Sequence, residues 1–244
     1  VTVEQPSLLT ALTSAVNVRC NGGTDGSAQV SVSGGTPDYS LAWSTGATTS
    51  SINNLSPASY WVTVTDSKGC TGSYNGTITE PPLITFSTSQ VNPVCGDVCN
   101  GTATVSGVTG GIAPYTFSWA PGGTTSSSTA TSSTATGLCP GSSYTVTVKD
   151  SKNCDTTFVY TITGPTVVTG SVTTTNETCN TSNNGTASGS ASGGTAPYTF
   201  TWFNSSGTQI GSGTNISNLQ SGTYSMVVTA QLGCDDTITF TITE

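Results

Sequence analysis

Eight cysteines and twelve carboxylates are the residues of this chain with chemistry to offer, set against four basic side chains (Arg19, Lys68, Lys149, Lys152) and no histidine. A hydrolytic centre needs a base that titrates near neutrality. Without histidine, and with the lysines in turn segments, that base is missing. The adjacent carboxylates Asp235 and Asp236 alternate to opposite faces of a strand and make a poor acid–base pair. The Gly-Gly pairs are followed by no Lys-Ser/Thr and open no helix, so they read as turns rather than phosphate cradles. The expectation is a protein that is not an enzyme and needs no cofactor. The cysteines form no C-x-x-C pair, and with no histidine beside them a zinc site is disfavoured. Their even number points to disulfides made in an oxidising compartment. Calcium is the one metal the composition suits, because Asp25, Asp66 and Asp150 fall in turns rich in carbonyl and hydroxyl oxygens. For Asp66 and Asp150 the preferred reading is simpler: the side chain caps its own turn.

The charge balance narrows the partners. A net charge of −8 with only 7% charged residues lacks the clustered Lys and Arg that nucleic acid or an anionic membrane surface requires. No run approaches the ~18 apolar residues of a membrane helix. The chain starts with Val and shows no leader-like segment, so it reads as a piece of a longer, exported protein.

The cysteines recur in two columns. Cys20, Cys95 and Cys179 are 75 and 84 residues apart; Cys70, Cys154 and Cys234 are 84 and 80 apart. The second column closes a phrase written three times, "YWVTVTDSKGC" (Tyr60 to Cys70), "YTVTVKDSKNC" (Tyr144 to Cys154) and "YSMVVTAQLGC" (Tyr224 to Cys234). Tyr39, Tyr115, Tyr198 and Trp43, Trp119, Trp202 recur at spacings of 76 and 83. The units are residues 7–80, 81–164 and 165–244. Residues 1–6, "VTVEQP", match "GTITEP" and "YTITGP" before the later units and read as the last strand of a preceding one. The second unit carries a Ser/Thr insertion, 124–136. The pairs equivalent in all three units are Cys20 with Cys70, Cys95 with Cys154 and Cys179 with Cys234. Each would close a loop of roughly 50–60 residues, worth on the order of 4 kcal/mol in the chain-entropy model. Cys139 cannot easily reach Cys154 across a strand of about 26 Å, which leaves Cys139 for Cys99. The second unit's four cysteines formally allow three connectivities.

The elements that must position these residues are strands. Ala28, Val30 and Val32 share one face while Gln29, Ser31 and Ser33 share the other, the period of a half-buried strand. Tyr39, Leu41, Trp43 and Tyr60, Val62, Val64 repeat the pattern, with "GGTPD", "STG" and "DSKG" as turns between. About seven short strands per ~80 residues describe an immunoglobulin-like β-sandwich. The fold class expected is all-β: three tandem sandwiches forming an elongated rod. The Tyr and Trp columns share parity with the inward Val and Leu and belong to the core. Trp61 and Phe203 are out of phase with them and are candidate surface contacts.

The combination "CNGGTDG", "GGTPDYSLAW", "NNLSPASYWVTVTDSKGC" and "TITEP" in the first unit, echoed in the other two, resembles the SprB-type repeat of the giant surface adhesins of gliding bacteria. The third unit departs from the pattern, with Ala230 where the others have Asp66 and Asp150. The resemblance implies a shaft segment of a cell-surface filament, exported by the type IX route and serving adhesion and gliding motility. The partners it implies are neighbouring repeats of the same chain, with surface glycans or other filaments as further candidates. "DTT" and "DTI" match the O-glycosylation acceptor pattern of that bacterial group and nominate Thr156 and Thr237. Two alternatives stand beside the shaft: a carbohydrate- or surface-binding module using Trp61 or the insertion, and an accessory sandwich region of a secreted enzyme.

Overall fold

The computed structural model describes residues 5–122, 124–179 and 182–244, with the side chains of 124–126 left aside. Most of the segment expected to be a preceding strand (1–6) therefore lies outside the described residues. All regular structure among them is strand, as the alternation requires.

The first sandwich contains β1 (Thr10–Val16), β2 (Gly26–Ser33), β3 (Ser40–Trp43), β4 (Ser51–Leu55), β5 (Ala58–Thr65) and β6 (Thr71–Ile78). They form two antiparallel sheets, β1-β2-β4 and β3-β5-β6. The second contains β7 (Thr85–Val91), β8 (Gly101–Thr109), β9 (Thr116–Ala120), β10 (Thr124–Ser128), β11 (Ser133–Leu138), β12 (Ser143–Lys149) and β13 (Asp155–Thr161). The third contains β14 (Thr169–Thr175), β15 (Gly185–Ser192), β16 (Tyr198–Asn204), β17 (Gln209–Ser212), β18 (Asn215–Leu219), β19 (Gly222–Ala230) and β20 (Asp235–Ile242). Each repeats the first layout with one strand added. In the second, the Ser/Thr insertion supplies β10, which extends β11-β8-β7; in the third, β17 joins the opposite sheet beside β16. Two facing antiparallel sheets in this order, tandem along the chain, are immunoglobulin-like sandwiches.

Each sandwich has its own core. Val62 and Val64, Val146 and Val148, and Met226 and Val228 are fully buried. Ile78, Ile162 and Ile242 seal the ends of the last strands. The Trp indoles of the repeating column lie inward and donate to Thr49 O, Ser133 Oγ and Gly213 O at 2.8, 3.1 and 2.8 Å, which satisfies the one polar atom that their burial would strand.

One core position pair is exchanged. Val30 and Val105 face Val62 and Val146 in the first two sandwiches, whereas the third has Gly189 and Met226 there. The packing has shifted to one strand: the long Met226 side chain reaches into the space beside Gly189 that a valine fills in the other two sandwiches.

Candidate functional site: the junctions between sandwiches

The repeating polar residues converge at the end of each sandwich where the chain enters it. The second glycine of each "GG" turn donates its N–H to the entering linker: Gly35 to Ser7 O, Gly111 to Pro82 O and Gly194 to Thr166 O, at 2.7–2.8 Å. The first glycine must be glycine. Its φ is +74° to +76°, and a Cβ would fall about 2.0 Å from the carbonyl oxygen of Leu8, Leu83 or Val167. The column tyrosines lock the same turn. Tyr39, Tyr115 and Tyr198 donate their hydroxyls to Gly34, Gly110 and Gly193 O at 2.6, 2.5 and 2.6 Å.

Asp66 and Asp150 tie this turn to the cysteine turn beside it. Asp66 Oδ2 accepts Thr36 N–H at 3.0 Å, and its Oδ1 accepts Lys68 and Cys70 N–H at 2.9 and 2.8 Å. Asp150 repeats the arrangement with Ile112, Lys152 and Cys154 at 2.8–2.9 Å. The Thr36 N–H, then those of Cys70 and Lys68, hold the Asp66 carboxyl below its ordinary range against the opposing effect of burial. Burial is the largest influence on Asp150 and would raise it, but the Ile112, Cys154 and Lys152 amides together with the Lys152 charge hold it low as well. These oxygens are committed to backbone amides, as turn caps are. Asp25 lies elsewhere, on the Arg19 guanidinium at 2.6 Å. Among the described residues no three of Asp, Glu or Cys gather to hold a cation. Ala230 has no carboxylate to offer, and the third turn keeps the backbone bonds Ala230 N–H to Cys234 O and Gln231 N–H to Thr195 O, at 2.8 and 2.9 Å.

The disulfides differ from the sequence expectation. Cys20 does not meet Cys70; it joins Cys154 of the next sandwich, with Cα atoms 5.5 Å apart. Cys95 does not meet Cys154; it joins Cys234, again at 5.5 Å. Cys179 does not meet Cys234, and Cys70 and Cys179 are exposed thiols. The reason is one strand's length. Cys70 opens β6, whose eight residues carry the chain the length of the sandwich, ~3.4 Å per residue, to the exit where Cys20 sits. The two cysteines of a repeat therefore stand at opposite ends, and each meets the neighbouring repeat. Cys99 joins Cys139 within the second sandwich.

Both cross-junction cystines are bedded alike. Cys154 Sγ lies 3.2 Å from Arg19 O and Cys234 Sγ 3.3 Å from Val94 O, the carbonyls just before the partner cysteines. An oxidised sulfur has no proton to donate, so these are packing contacts. At the first junction Asn21 Nδ2 donates to Pro81 O at 3.1 Å and Gly22 N–H to Glu80 Oε2 at 2.6 Å. At the second, Gly96 lies against the linker so closely that a Cβ would come within 2.5 Å of Pro165 O. Three asparagines complete the frame. Asn17, Asn92 and Asn176 accept the N–H groups of Thr79, Thr163 and Thr243 at 2.8, 3.3 and 3.1 Å, pinning the exit strand. Their signal was in the sequence, an Asn three residues before each first-column cysteine.

The candidate surface residues do not join this site. Trp61 is 56% exposed and Phe203 is half-buried. They lie on corresponding sheets of the first and third sandwiches, on opposite members of one cross-strand pair: Phe203 on β16 faces Ser225 on β19, while Trp61 on β5, the equivalent of Ser225, lies opposite Ser44, whose N–H donates to its carbonyl. Thr156 is half-buried beside the first cystine, and Thr237 is exposed on β20.

The SprB repeat family model matches residues 12–48, 87–124 and 171–207. No curated protein matches the chain. Solved structures similar to it include the N-terminal eight Ig domains of Down syndrome cell adhesion molecule (10% identity, TM-score 0.34, 98% of this chain and 48% of that one). Two others are the Ig1–Ig3 ectodomain of mouse nectin-like molecule 4 (8%, TM-score 0.35, 96% and 93%) and the IG1+IG2 pair of DIP-gamma (10%, TM-score 0.37, 68% and 97%). The chain spans about half the length of the first of these.

Proposed function

The chain carries SprB repeats at three places, and on that premise we propose that it is a shaft segment of an exported cell-surface adhesin, supporting adhesion and gliding motility. Its beads are residues 7–80, 81–164 and 165–244, and their task is reach rather than catalysis. The observation that carries this reading is the pair of cystines that cross the junctions, Cys20–Cys154 and Cys95–Cys234. A module that only presented a binding face would have no use for a covalent tie to each neighbour. A net charge of −8 and abundant Ser and Thr keep the shaft soluble and non-sticky. Type IX export and O-glycosylation at Thr156 and Thr237 follow from the same reading.

Exposed Trp61 favours a second reading, recognition of a glycan or surface by the first bead. One experiment separates them: the chain and a Trp61→Ala variant on a glycan array and on abiotic surfaces, with small-angle scattering of both. An extended particle without specific binding supports the shaft. Saturable binding that the variant loses supports recognition, and a compact, folded-back particle overturns the shaft.

A further inference from the structure

The two exposed thiols are halves of a junction seen twice already. Cys70 is the repeat-equivalent of Cys154 and Cys234, each of which receives a cysteine from the sandwich before it. Cys179 is the equivalent of Cys20 and Cys95, the cysteines that are received. The ground around Cys70 is prepared in the same way. Its amide is held by Asp66 Oδ1 at 2.8 Å, as Cys154 is by Asp150 at 2.9 Å. It lines a hollow of about 310 Å³ walled by Pro6, Leu8, Leu9, Gly35 and Asp66. The equivalent hollow of the second sandwich, walled by Pro81, Leu83, Ile84 and Gly111, is closed on one side by Cys20 and Asn21 of the first. Leu8 on the rim is 82% exposed, whereas its equivalents Leu83 and Val167 at the closed junctions are 60% and 50% exposed.

We propose that Cys70 and its hollow are a socket for the first-column cysteine of another repeat, and that Cys179 of a second copy of this chain fits that socket, so that copies of the 244-residue chain join head to tail through a disulfide of the Cys20–Cys154 type. The contact is heterologous, and repetition of it builds an open chain of copies rather than a closed dimer. The bond forms by exchange with a small-molecule disulfide such as oxidised glutathione. One thiolate attacks the oxidant and releases a glutathione thiolate; the second attacks the mixed disulfide and releases another. Two cysteine thiols are oxidised and one glutathione disulfide is reduced to two thiols. This inference rests on the disulfide geometry, not on the adhesin reading, and its outcome leaves that reading untouched.

The test is oxidation of the 244-residue chain in a glutathione buffer, followed by non-reducing electrophoresis and mass spectrometry of the linked peptides. The expected result is a ladder of multimers whose new bonds are Cys70–Cys179, well above the about one-half share that random joining of two thiols would give. Cys70→Ser and Cys179→Ser, both at exposed positions, should each stay monomeric alone and form a dimer when mixed. Cys70–Cys70 and Cys179–Cys179 bonds at random frequency would overturn the proposal. So would monomers with both thiols still free, or peptides showing the cysteines paired within each repeat.

Discussion

Gly189 and Met226 occupy one packing site: a Cβ on Gly189 would lie 2.3 Å from Met226 Sδ. In the other sandwiches the site is filled by Val30 with Val62 and by Val105 with Val146. Gly189→Val alone should overpack the third core and destabilise it by about 1–3 kcal/mol. Met226→Val alone should leave a cavity and also destabilise. The double variant rebuilds the Val–Val pair and should recover most of both losses, with a coupling of about 1–3 kcal/mol in a double-mutant cycle. Denaturant unfolding followed by Trp202 fluorescence measures it; simple additivity would refute the exchange.

The first cystine should couple two sandwiches that each possess a core. It closes 134 residues, which the chain-entropy model values at about 5 kcal/mol. A Cys20→Ser/Cys154→Ser chain should keep both sandwiches folded yet unfold them at lower and separate denaturant midpoints. Hydrogen exchange resolved by peptide would show the split, and unchanged midpoints would rule out the coupling.

Gly96 sets the closeness of the second junction. Gly96→Val places a side chain against the Pro165–Val167 backbone, and backbone cannot swing aside as a flexible side chain can. The Cys95–Cys234 bond should then be reduced by dithiothreitol at least several-fold faster, while Cys20–Cys154 keeps its rate. Equal acceleration of both bonds would mean that the substitution loosened the whole molecule.

The turns should respond to acid unequally. Asp66 and Asp150 have lowered folded pKa values, so the stability they add is full above the ordinary carboxylate value, about 3.9, and is lost as pH falls through the folded values. Amides of Lys68, Cys70, Lys152 and Cys154 should lose exchange protection below about pH 4, while that of Cys234, whose turn has Ala230, should not. On the alkaline side, burial raises the Tyr160 phenol to about 12. Its contribution is complete below the ordinary value near 10 and is lost as pH rises from there toward about 12. The second sandwich should be the one that feels it, and Tyr160→Phe should remove the effect.

Strand positions and core parity were legible because a pleated strand writes its inward face at every second residue. Val62, Val64, Ile78 and their equivalents could be read directly from the letters. The cysteine partners could not. Repeat symmetry gives two solutions with the same columns, Cys20 to Cys70 or Cys20 to the next unit's Cys154, and only the direction of β6 chooses. The strand-length argument that separates Cys139 from Cys154 applies equally to Cys70 and Cys20 across β6. Applied there, it excludes the pairing within a unit. Asp66 and Asp150 could be read as caps because Asp in a tight turn has few other uses. Their reach across to Thr36 and Ile112 is a tertiary contact that no local pattern carries.

The cystines interlace: Cys95 lies inside the stretch closed by Cys20–Cys154, and its partner Cys234 lies beyond it. The polypeptide from Cys20 to Cys234 is thus a mesh with no single point of failure. A protease that cuts any one peptide bond in that span leaves the two ends covalently joined. Tension meets the same mesh. Between the two junctions the shortest covalent route runs from Cys154 to Cys139, across to Cys99, and on to Cys95. Those two short backbone stretches reach at most about 70 Å at ~3.6 Å per residue. The second sandwich, with its Ser/Thr insertion, can lengthen no further than that even when its sheets come apart.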